Sequence, residues 1–110
     1  MEVAMPKYLI QASYSPEGLK GVMKDKASGR KAAVEKALAS IGGKLEGMYY
    51  AFGDYDTVII VDAPDNVSVA ALSFGVCSTG LARTRTTPLL TIEETDKVVA
   101  KAVSYKGPGK

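Results

Sequence analysis

The side chains of this chain that could do chemistry crowd into one stretch, Tyr49-Tyr50-Ala51-Phe52-Gly53-Asp54-Tyr55-Asp56-Thr57. It sets the carboxylates of Asp54 and Asp56 beside the phenols of Tyr49, Tyr50 and Tyr55. In such a rim a carboxylate can act as a base and a phenol as an acid, or both can seat a small polar ligand. The same residues also describe a tight turn, in which Gly53 supplies a permissive backbone and the aspartates bond their own chain. A second pair, Arg83 and Arg85, lies two residues apart in β-branched company, hence on one face of a strand. Two adjacent guanidinium groups can hold a carboxylate or phosphate, or pair with Glu46, Asp54 or Asp56. The candidate ligand-binding residues are therefore Tyr50, Gly53, Asp54, Tyr55, Asp56, Arg83 and Arg85. The candidates for catalysis among them are Asp54, Asp56 and Tyr55.

Composition narrows the chemistry. The chain has no histidine and a single cysteine, Cys77. This excludes Ser-His and Cys-His nucleophile pairs, imidazole metal ligands, an internal disulfide and a thiolate cluster. No metal site and no cofactor is expected. The net charge is only +2 and the lysines are scattered, unlike the concentrated basic stripe of a nucleic-acid binder. No apolar run approaches the ~20 residues of a membrane span, and the first residues lack the layout of a signal peptide. The expectation is a cytoplasmic protein that engages neither nucleic acid nor membrane.

The elements that must position these residues follow from periodicity. A chain of 110 residues, 46% hydrophobic and 24% charged, makes one globular domain. That domain is expected over residues 5–105, with flexible tails at 1–4 and 106–110. Lys7 to Tyr14 alternates as a strand. Ser15-Pro16-Glu17 then opens a helix that breaks near Gly29, resumes with Ala33, Val34, Ala37, Leu38 and Ile41 on one face, and ends at Gly42-Gly43. Lys44 to Phe52 and Thr57 to Asp62 form a hairpin across the GDYD turn. A helix runs from Val67 to about Thr79 and stops at Gly80. A fourth strand covers Arg83 to Thr91, and a last helix Glu93 to Tyr105. The order β-α-β-β-α-β plus a helix is the ferredoxin-like α+β arrangement, an antiparallel sheet with helices on one face.

Such a sheet should be apolar on one side only, yet the first strands are apolar on both. Leu9 opposes Tyr8 and Ile10, and Val58 and Ile60 oppose Ile59 and Val61. The exposed side needs a cover, and a second copy, sheet against sheet, supplies one. The other cover within reach is the chain's own last helix.

Met5 to Tyr14 (MPKYLIQASY), the FGDYD turn at Phe52 to Asp56, the VDAPDN loop at Val61 to Asn66 and the RTRTTPLLT strand at Arg83 to Thr91 together resemble the GYD-domain family of small, mostly bacterial proteins. That resemblance implies a dimeric α+β barrel, a group that includes small cofactor-free oxygenases and isomerases. A similar Gly-x-Tyr-Asp hairpin occurs in effector-binding domains of leucine-responsive regulators, where it helps bind amino acids between subunits; carried over, it points to Gly53, Tyr55 and Asp56. Three functions are expected from all this. The first is a module binding a small molecule between sheet and helices or at the dimer interface. The second is a cofactor-free enzyme on a small carbonyl or phenolic substrate, with Asp54 or Asp56 as base, a tyrosine as acid and Arg83 or Arg85 holding the anion. The third is a non-catalytic assembly protein.

Overall fold

The computed structural model describes residues 5–110; of the tails expected above, 1–4 lies outside them. Four strands form one antiparallel sheet in the order β2-β3-β1-β4: β1 (Lys7–Tyr14), β2 (Lys44–Tyr50), β3 (Thr57–Asp62) and β4 (Ala82–Leu89). Helices α1 (Pro16–Ser40) and α2 (Asn66–Cys77) cover one face, and α3 (Ile92–Ala100) follows β4. This is the ferredoxin-like α+β fold.

Register sorts the side chains. Tyr8, Ile10, Ala12 and Tyr14 of β1 face the helices, with Val61, Ile59 and Thr57 of β3 and Pro88, Thr86, Thr84 and Ala82 of β4 beside them. Leu9, Gln11 and Ser13 share the other face with Val58, Ile60, Arg83, Arg85 and Thr87. Pro88 is tolerated because β4 is an edge strand, where a missing amide breaks no ladder.

The caps are local chemistry. The Ser15 hydroxyl accepts from Gly18 N at 3.1 Å, Asp65 Oδ1 from Ser68 N at 2.8 Å, and Thr91 Oγ1 from Glu94 N at 3.0 Å. In α3 the cap is reciprocal, since Glu94 accepts from Thr91 N. Thr91 therefore ends the turn after β4 and does not belong to the strand. Likewise β2 stops at Tyr50, because Ala51 N is already turning back to Asp56 O at 2.8 Å. The last helix ends at Ala100, five residues' worth of apolar and basic tail short of Tyr105, and no residue of α3 is buried. It does not roof the open sheet face.

The break in α1 falls at Lys26, with φ 65° and ψ 162°, and not at Gly29. A straight helix of 25 residues would run about 37 Å. The eight residues of β1 span only about 26 Å. A helix tied to β4 at its start and packed on β2 at its end must shorten itself somewhere. Gly29 stays helical, at the ordinary cost of a helical glycine, while Lys26 takes a backbone that L-residues rarely adopt.

Packing is concentrated where β1 begins and β3 ends. Leu38 and Val61 are fully buried there, among Tyr8, Ile10, Ile59, Ala63 and Val69. Tyr8 satisfies its hydroxyl on Asn66 Oδ1 at 2.7 Å. Val34, Ile41, Leu45, Met48 and Leu72 complete the cluster.

Candidate functional site

At the other end of the same layer the helices separate. The first half of α1 is held to the start of β4: Ser15 N donates to Leu81 O at 2.9 Å, and Gly18 sits so close that a Cβ would lie 2.0 Å from that carbonyl oxygen. The second half leaves toward β2. Between α1, α2 and the sheet remains a cavity of about 400 Å³, within the usual range for small-molecule sites. Its floor is Ala12 and Tyr14 from β1, Thr57 and Ile59 from β3, and Ala82 and Thr84 from β4. Val22, Ala33, Val34 and Ala37 of α1 face Leu72 and Val76 of α2 across it.

The polar groups on this wall are few and mostly spoken for. Ser73 Oγ and Thr84 Oγ1 share a hydrogen bond of 2.6 Å, and the Cys77 thiol lies 3.6 Å from Thr84 Oγ1. That hydroxyl holds the Cys77 thiol below its ordinary pKa. Cys77 is half-buried beside the threonine and not sealed in an apolar core. Thr57 Oγ1 donates to Tyr14 Oη at 3.1 Å. Tyr50, on the same side of the sheet, is pushed up to about 12, first by burial and then by the neighbouring Tyr14 hydroxyl. Arg30 stands at the rim and reaches Asp25 across the break in α1, Nη1 to Oδ2, at 3.5 Å.

The residues singled out from sequence divide between three places. Tyr50 faces the helices and touches the cavity's tyrosine. Arg83 and Arg85 stand exposed on the open sheet face, where Arg85 Nη1 donates to Tyr55 Oη at 3.4 Å. Asp54 is exposed in the turn, and its carbonyl oxygen accepts from Ser13 Oγ at 3.2 Å. Asp56 is half-buried and its Oδ2 accepts from Tyr14 N at 2.8 Å, extending the β1–β3 ladder past its last paired residue. None of Tyr50, Asp54, Tyr55 and Arg85 lines the large cavity. Gly53 has open space around it and an ordinary φ, so the turn does not need its backbone freedom.

A family model for the GYD domain matches residues 8–99. The chain belongs to the GYD-domain family. No curated protein and no solved structure matches it. In this GYD domain the motif acts on the cavity at one remove. Asp56 fixes the backbone of Tyr14, and the adjoining Thr57 holds the Tyr14 phenol. The sequence pattern singles out neither Tyr14 nor Arg30 for this site. The readable signal was the helix-facing row Ala12, Tyr14, Thr57, Thr84, small or hydroxylic where a filled core would carry Leu or Ile.

Proposed function

We propose that this GYD domain binds a small, largely apolar molecule in the cavity between the sheet and helices α1 and α2, and that a second copy covers the open sheet face. The cavity is the observation that carries the first part. An apolar hollow of this size in so small a domain forgoes packing that stabilises the other end of the layer, and an occupant recovers it. For the second part, Leu9, Val58, Ile60 and Leu89 remain partly exposed and Tyr49 is 70% exposed, with α3 elsewhere. No described helix is long and apolar enough to cross a membrane, and the unpaired thiol of Cys77 suits a reducing compartment such as the cytoplasm.

The test is a titration with N-phenyl-1-naphthylamine, a neutral dye that fluoresces in apolar surroundings. A single saturable site per chain is expected, abolished in Gly21→Leu, whose new side chain enters open space beside the cavity. Dye binding that survives Gly21→Leu in a protein of unchanged circular dichroism would refute the cavity as the site. Sedimentation at micromolar concentration tests the second copy, and an 11.6 kDa species alone would remove it.

A further inference from the structure

The donors and acceptors around the cavity say what head group its occupant carries, granted that the cavity is a binding site. Among the described lining residues Arg30 is the only cation. The acids at the same mouth already face cations of their own: Glu17 faces Lys20 at 3.6 Å and Asp25 faces Arg30 at 3.5 Å. Asp25 engages one nitrogen of a guanidinium that has five N–H donors, so most of the fork is uncommitted. The Tyr14 oxygen accepts from Thr57, which leaves the phenolic proton to be given elsewhere. Ser73 and Thr84 use each other. The polar end therefore offers an occupant the uncommitted guanidinium N–H groups and the Tyr14 O–H, and most of the rest of the wall is aliphatic.

We propose that the occupant is a small monocarboxylate with an apolar body, its carboxylate taken by the Arg30 guanidinium and the Tyr14 hydroxyl. Its body lies along Ile10, Ile59, Leu72 and Val76. A carboxylate is the head group that accepts from both donors at once, and a planar fork suits it. A phosphate dianion would find one cation, half-engaged by Asp25, against two charges. An ammonium would find no uncommitted carboxylate. The break at Lys26 belongs to the same arrangement, since it turns the second half of α1 so that Arg30 stands opposite the floor and not out over the solvent.

The test uses matched probes on the intact chain by calorimetry: octanoate, octan-1-ol and octylamine share a body and differ in head. Octanoate is expected to bind at least about tenfold tighter than octan-1-ol, the value of a hydrogen bond to a charged group, with octylamine weakest. Arg30→Gln should cost octanoate about tenfold and octan-1-ol less than about twofold. Arg30→Lys should restore part of the loss, and Tyr14→Phe should cost octanoate several-fold. Lys36→Gln, exposed on the same helix and outside the cavity lining, should leave octanoate binding as it is. If octanoate binds no tighter than octan-1-ol, or Arg30→Gln leaves it unchanged, the carboxylate assignment is overturned while the cavity stands. If none of the probes binds or displaces the naphthylamine dye, the cavity reading itself falls.

Discussion

The two ends of the sheet–helix layer are made by the same strands and the same two helices, yet one is filled and the other hollow. At the filled end the helix-facing positions are Tyr8 and Val61, with Ile10 and Ile59 at the boundary, and Leu38 of α1 drops between them with no surface left exposed. At the hollow end the same rows continue as Ala12, Tyr14, Thr57 and Thr84, and α1 contributes Val22, Ala33 and Ala37 from either side of a break. The volume of the side chains, not the topology, makes the difference: a row of large aliphatics closes the layer and a row of small and hydroxylic groups leaves a room. One end holds the fold, and the other is free to hold something else.

If that division is right, the largest effects should come from the filled end. Leu38→Ala is expected to cost about 3–4 kcal/mol in chemical denaturation, as for a fully buried leucine. Val22→Ala, at the cavity wall, should cost less than about 1 kcal/mol, since its methyls face space already empty. Equal costs would break the comparison. Gly18→Ala should come next, at about 2 kcal/mol, because its methyl would meet the Leu81 carbonyl that ties α1 to β4; the same variant should weaken dye binding by displacing the cavity's end. Thr86 marks the boundary, opposite Ile10 in β1, and its Oγ1 is buried with no hydrogen-bond partner. Thr86→Val should therefore raise stability by about 1 kcal/mol.

Two smaller effects follow from ionisation. The Asp65 carboxylate is held below its ordinary value by the Ser68 backbone N–H at the start of α2, the filled end. A carboxyl whose folded pKa is depressed adds stability above its unfolded value, near 4, and loses it as pH falls through the folded value. The unfolding midpoint should drop across that acid range, and Asp65→Asn, which keeps the cap without the charge, should flatten the drop. At the hollow end, ultraviolet difference titration should show one phenol ionising at about 12, assigned to Tyr50 by its loss in Tyr50→Phe. Tyr14→Phe should lower that value, because the Tyr14 hydroxyl is the second cause of the shift.

The strands, the start of α1 and the ferredoxin-like order are legible because each rests on local pattern: alternation in Lys7 to Tyr14, the β-branched run Thr57 to Asp62, and Ser15-Pro16 before a helix. The glycine that marks a break in α1 by its type, Gly29, lies three residues past the real one at Lys26, since a length mismatch between helix and sheet leaves no local pattern. The site was less legible still. The stretch rich in Tyr and Asp drew attention by composition, but Asp56 turns out to hold the backbone of Tyr14, and Asp54 meets solvent. The cavity residues carry no motif. Ala12, Thr57, Thr84 and Arg30 come from separate elements and become neighbours only once the register of three strands is set.

The claim that one end of the layer is a receptor is tested most directly by methyl chemical shifts on the intact chain as octanoate is added. The account predicts that Ile10, Ile59, Leu72 and Val76 move and saturate together while Leu38 and Val61 stay in place. Shifts spread over Leu9 and Ile60 of the open sheet face, with the cavity methyls unmoved, would contradict it.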